Sequence, residues 1–216
     1  MSYLYISRPY TDEEKRGAIK IVLQHAVPDR DFYLLVCGAV LLALSGIFAD
    51  SIAVLIASMI VAPLAYPILG IALGLVVADF RLVARACVML GLSLVIAVGL
   101  AAIVTYFFGH IRLQPQFISF ESNLTIATFI ALISGFIAAY GLVRMKVGSA
   151  MTGIGIAVSL MPPLVATGIS IVDPSSFSVS LTFHIFLLNV GGILIGSMAI
   201  FFFMGFSKLY SSSRTK

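Results

Sequence analysis

Charged side chains punctuate this chain at wide intervals and leave long apolar runs between them. Residues 32–49 carry no charge between Asp31 and Asp50, and residues 51–78 form a second run that ends at Asp79. A third run, 86–109, is entered past Arg81 and Arg85, and a fourth, 122–143, lies between Glu121 and Arg144. Residues 147–172 form a fifth, ended by Asp173-Pro174, and residues 181–206 a sixth, ending before Lys208. The runs are continuous rather than alternating, and far longer than the roughly 9–11 residues of a membrane β-strand. Each approaches or exceeds the ~20 apolar residues with which a helix crosses the hydrocarbon core. The pattern predicts an all-α integral membrane protein of six transmembrane helices spanning residues 32–206. A cytoplasmic segment, 1–31, precedes it and a cytoplasmic tail, 207–216, follows.

Before the first run, Thr11-Asp12-Glu13-Glu14 reads as a capping box, with a threonine oxygen and a glutamate three residues on satisfying each other's backbone N–H groups. It opens a short helix to about Ala26, ended by Pro28. Ile19, Val22, Leu23 and Ala26 form an apolar stripe opposite Lys15, Arg16 and Gln24. The expectation is an amphipathic helix at the cytoplasmic membrane interface, with packing on cytoplasmic loops as the alternative. The segment does not read as a signal peptide, having acidic residues and no apolar core before Phe32.

The spans repeat. At an offset of 100, residues 51–71 align with 151–171, pairing Ile56-Ala57 with Ile156-Ala157 and Pro63-Leu64 with Pro163-Leu164. Gly91 and Gly191 keep the same spacing. Halves of three crossings each must be oppositely oriented, so the pattern predicts two inverted repeats, 32–109 and 122–206, an architecture found in many secondary transporters. Helices two and five carry their prolines mid-span: Pro63 and Pro67, then Pro162 and Pro163. A proline inside a helix removes a hydrogen bond and clashes with the preceding turn. In hydrocarbon the freed backbone groups cannot turn to water, so such breaks persist where they are buried in protein or line a wet cavity. Packed kinks are the plainer reading, and a shared central site the functional one.

Composition agrees with the runs. The 216 residues are 61% hydrophobic and 10% charged, with a mean hydropathy of +1.13. So few charges cannot clothe a soluble globule of this size. The net charge of +4 would suggest an acidic partner, but topology explains it without nucleic acid. Twelve of the 13 Lys and Arg residues fall in four segments that six spans place on one side, and Arg112 falls opposite. The positive-inside rule then puts both termini in the cytoplasm of a cell (inner) membrane. Cys37 and Cys87 read as reduced packing residues.

Residues 51–68, with Met59-Ile60-Val61-Ala62-Pro63-Leu64 and then Pro67-Ile68, resemble the signature of a family of prokaryotic membrane proteins known as domain of unknown function 389. The segment from Ile156 through Met161-Pro162-Pro163-Leu164 is similar to its second signature, and Leu188-Asn189-Val190-Gly191-Gly192-Ile193 to a third element. The chain departs at Ile52, where proline is usual, and at Ala57-Ser58, where Gly-Ala is usual. The resemblance covers roughly residues 32–206 and implies the membrane fold; it implies no activity.

No carboxylate lies inside a run, which argues against a carboxylate proton relay, a di-metal site or an aspartyl protease. His25, His110 and His184 fall on different segments without companion ligands at metal spacing. His184 has no orienting acid nearby for a serine nucleophile. No enzyme activity, cofactor or metal is expected. The polar set that remains is uncharged. Asn189 lies near mid-span on the face of Thr182, Gly192 and Gly196, and Ser58, Tyr66, Ser159, Thr167 and Ser170 accompany the prolines. Its plain reading is an interhelical hydrogen bond. The glycine pairs Gly70–Gly74 and Gly192–Gly196 permit close helix approach, within the bundle or between copies in a homo-oligomer. The expectation is a transporter or channel for a small solute or ion. Its site would comprise Asn189, Ser58, Pro63, Tyr66, Pro67, Ser159, Pro162, Pro163 and Thr167, with membrane lipids around it. The alternative is a non-transporting membrane scaffold or sensor subunit.

Overall fold

A computed structural model describes residues 11–108, 124–144, 160–176 and 178–207, and all its regular elements are helices. They are α1 (Asp12–His25), α2 (Arg30–Phe48), α3 (Ile52–Val61), α4 (Ala65–Val77), α5 (Phe80–Phe108), α6 (Leu124–Val143), α7 (Met161–Val172) and α8 (Val179–Phe203). Four of these, α2, α5, α6 and α8, are long and apolar enough to cross a membrane, and α3 with α4 makes a fifth if that bent pair is one span. The first part of the expected fifth span, 147–159, lies outside the described residues, as does Ser159.

The polar residues that interrupt the apolar runs become helix caps. Asp29 Oδ1 accepts from Phe32 N at 2.8 Å to open α2, and Asp79 Oδ1 accepts from Arg81 N and Leu82 N, both at 3.1 Å, to open α5. Ser51 and Ser178 cap α3 and α8 in the same way. Each such cap satisfies a backbone N–H that the helix cannot, typically stabilising it by ~1 kcal/mol. The capping box at Thr11 and Glu14 forms in both directions.

The run over residues 51–78 is not one helix. Ala62 takes an extended conformation (φ −68°, ψ 118°), as the residue before a proline prefers, and α3 stops there. The chain restarts as α4 at an angle of 47°. Pro63 therefore stands in the break and Pro67 in the first turn of α4. Pro162 and Pro163 likewise occupy the first turn of α7. First-turn N–H groups have no intrahelical partner, so a proline there removes nothing. These prolines begin helices; they do not kink helix interiors.

Close contacts run through small residues. A Cβ built on Gly135 of α6 falls onto the carbonyl of Ile193 in α8, and one on Gly196 falls onto the carbonyl of Leu132, so α6 and α8 touch backbone to backbone. A Cβ on Gly168 of α7 would fall 2.6 Å from Val98 O and 2.5 Å from Ala101 Cβ on α5, and one on Gly46 of α2 would fall 2.8 Å from Leu55 N on α3. Both glycine pairs singled out in the sequence are used inside the chain: Gly70 faces Ala86, Gly74 faces Val83, and Gly192 and Gly196 face α6. Between helices in lipid, such packing replaces the hydrophobic drive that water would supply. The two proline-started helices share their neighbours, since α4 and α7 each pack on both α5 and α8.

The stripe expected on α1 splits into two rows. Ala18, Val22 and Ala26 are fully buried, and Val22 and Ala26 reach Gly70 of α4, whereas Leu23 is 42% exposed. Helix α1 also packs on α6, with Glu14 Oε1 3.6 Å from Arg144 Nη1. Helix α1 is thus docked on protein along one side, because small residues every four positions let it approach the bundle.

Candidate functional site

The break between α3 and α4 leaves helix termini where a continuous helix would bury its backbone bonds. α4 starts at Ala65 without a side-chain cap, and so does α7 at Met161. Helix α7 packs on α2 and α3 as well as on α5 and α8, so the second proline-started helix touches the first half of the broken pair.

Around these termini the polar side chains form short, uncharged links. Thr167 Oγ1, on a side chain 4% exposed, lies 2.7 Å from Pro163 O and 3.0 Å from Thr182 Oγ1. One hydroxyl proton can serve only one acceptor. When Thr167 donates to Pro163, the shared contact needs Thr182 as donor. The Thr182 oxygen also lies 3.1 Å from Ser178 O, its own helix's alternative. This pair ties α7 to α8. Ser58 donates to Leu55 O at 2.6 Å and Ser170 to Ala166 O at 2.7 Å, so both are satisfied within their own helices.

Pro67 is buried, while Pro63, Pro162 and Pro163 are half-buried. Tyr66 is half-buried too, but its ring stacks on His25 of α1, with centroids 4.3 Å apart and planes 15° from parallel. That contact turns Tyr66 towards the N-terminal helix. Asn189 is 5% exposed and sits in the buried row of α8 with Thr182, Ile193 and Ser197. All nine buried polar side chains among the described residues are uncharged serines, threonines and this asparagine. No group of three or more His, Cys, Asp or Glu residues converges there among the described residues.

Two participants escaped the sequence reading. Ser197 Oγ donates to Gly135 O at 3.0 Å across α8 and α6, a bond between residues 62 apart that no local spacing announces. His25 is a lone histidine in the sequence, and its place beside Tyr66 depends on the docking of α1.

Apolar helices, small-residue crossings and an uncharged polar interior define a helical membrane protein. The chain belongs to the family described as "Domain of unknown function (DUF389)", whose model matches residues 59–195. An uncharacterized protein of Methanocaldococcus jannaschii is 29% identical to it, over an alignment covering 96% of this chain and 66% of that relative, so the chain spans just under two thirds of the relative's length. No solved structure matches the chain.

Proposed function

We propose that this protein is a transporter or channel for a small neutral solute or an ion held by backbone carbonyls, with its site at the paired proline starts of α4 and α7. In this reading the chain crosses the cell membrane six times, as two inverted halves, with both termini cytoplasmic. The break at residues 62–64, set against a second proline start at Pro162-Pro163, carries the proposal. Uncapped helix ends inside an apolar bundle present oriented N–H and C=O groups, the means by which discontinuous helices bind substrates and ions.

The register of burial supports the repeat. In α5, Leu82, Ala86, Met89, Ser93, Ala97 and Ala101 are buried; so are Thr182, Phe186, Asn189, Ile193, Ser197 and Phe201 of α8, each 100 positions later. Gly91 and Gly191 both face open space. A two-fold relation exchanges α5 with α8 and α4 with α7, which accords with the neighbours that α4 and α7 share. Asn189 replaces Met89 in that register and makes the two halves chemically unequal. Assembly of several copies would use outward surfaces, since both glycine pairs are consumed within the chain.

Purified protein in liposomes, screened for flux of monovalent ions, divalent ions and small neutral solutes, tests the proposal. Flux that Asn189→Leu abolishes supports it. No flux across the whole panel overturns it and favours a membrane scaffold.

A further inference from the structure

The outer face of α1 has a chemistry that packing on the bundle does not use. Ile19, Leu23 and Val27 recur every four residues beside the buried row Ala18, Val22 and Ala26; Ile19 packs partly against the core, while Leu23 and Val27 are 42% and 45% exposed. Arg16 and Lys20, also four apart and exposed, flank that apolar row, and Gln24 continues it. Together these six line an open groove of about 610 Å³. Of the neighbouring charges on α1, Lys15 Nζ lies 3.9 Å from Asp12 and Glu14 lies 3.6 Å from Arg144, while Glu13 is exposed outside the groove's lining. The groove wall itself therefore carries two positive charges and no negative one. Leu34 and Leu35, early in α2, are also exposed, at 68% and 48%.

We propose that this groove binds an anionic phospholipid of the surrounding leaflet. Its phosphate sits between Arg16 and Lys20, and the upper part of an acyl chain lies along Ile19, Leu23 and Val27. Basic side chains above an apolar row are the arrangement that an interfacial helix offers to acidic lipid. A zwitterionic lipid presents the same phosphate but brings a cation against Arg16 and Lys20, so charge is what selects the occupant. The inference rests on membrane insertion and is independent of transport. Two basic groups at an acidic headgroup imply a preference on the order of ten-fold.

Native mass spectrometry of the full chain in detergent, titrated with phosphatidylglycerol and with phosphatidylcholine of identical acyl chains, tests it. The expected result is roughly ten-fold stronger retention of phosphatidylglycerol, brought close to parity by Arg16→Gln with Lys20→Gln. Lys20→Arg keeps the charge and is expected to keep the preference, which separates loss of the site from loss of the fold. Leu23→Gln is expected to weaken retention of both lipids. Equal retention of the two lipids by the unaltered protein overturns the proposal, as does a preference that survives the double substitution. A loss of equal size in Arg85→Gln, an exposed cation on α5, would attribute the preference to overall charge and overturn the groove.

Discussion

His25 and Tyr66 stack face to face, 4.3 Å between ring centroids, and so join the end of α1 to the first turn of α4 just after the helix break. The N-terminal helix thereby reaches the part of the bundle where the backbone is interrupted. Its buried residues Val22 and Ala26 lie against Gly70 one turn further along α4. Any movement of α4 at the break must carry α1 with it or part this stack.

The stack is expected to couple the two residues. Offset aromatic pairs contribute ~0.5–1.5 kcal/mol beyond area burial. A double-mutant cycle of His25→Ala and Tyr66→Ala, read by thermal unfolding in detergent, should return a coupling in that range. Additive single effects would mean that the rings are neighbours without interaction.

The α6–α8 crossing is expected to be the least tolerant of added volume. Gly135→Val places atoms where the Ile193 carbonyl lies, and overpacking of this kind destabilises by ~1–3 kcal/mol or more. Gly91→Ala and Gly191→Ala meet open space, and replacing a mid-helix glycine by alanine should be neutral or stabilising by up to ~1 kcal/mol. Unfolding midpoints of the three variants check the contrast. Equal losses in all three would remove the argument from close packing.

Thr167→Val removes a hydroxyl that links α7 to α8 but leaves its methyl volume in place. Interhelical hydrogen bonds in membranes average ~0.6 kcal/mol, because alternative partners are at hand. The Thr167→Val and Thr182→Val cycle should therefore show a coupling well below 2 kcal/mol. A larger value would point to a bond whose loss strands a buried group.

Asn189→Leu is expected to leave a folded protein, since even the loss of an interhelical hydrogen bond in a membrane costs on average only ~0.6 kcal/mol. In liposomes that conduct a solute, the variant should lose flux while its size-exclusion profile and helix content stay unchanged. Undiminished flux would confine Asn189 to a structural hydrogen bond.

Topology gives the last test. In a background with Cys37→Ala and Cys87→Ala, Ser213→Cys should be protected from a membrane-impermeant thiol reagent in intact cells and Gln114→Cys labelled. The reverse pattern would invert the orientation read from the basic residues.

Much of this architecture is legible in the chain because burial in lipid is a local property. A run of apolar residues between Asp31 and Asp50 lowers its own transfer free energy wherever its neighbours lie, so the runs that form α2, α5, α6 and α8 could be delimited one at a time. The capping box at Thr11, the cap at Asp79 and the break before Pro63 are equally local, each set within four residues by hydrogen-bond supply and proline sterics. What residues meet across helices is another matter. Glycine is frequent, with 18 in the chain, and nothing near Gly135 distinguishes it from Gly91; yet the first abuts a carbonyl and the second open space. Helical periodicity put Ile19, Val22, Leu23 and Ala26 on one stripe, and the bundle divided it, taking Val22 and Ala26 and leaving Leu23 outside. The site behaves likewise. The sequence by itself located the prolines, the uncharged polar residues and their depth along each run. Only the tertiary structure decided that Thr167 meets Thr182, that Tyr66 turns to His25 and that Ser197 reaches Gly135. Those contacts depend on helix rotation and crossing, and these follow from the summed packing of many side chains far apart in sequence.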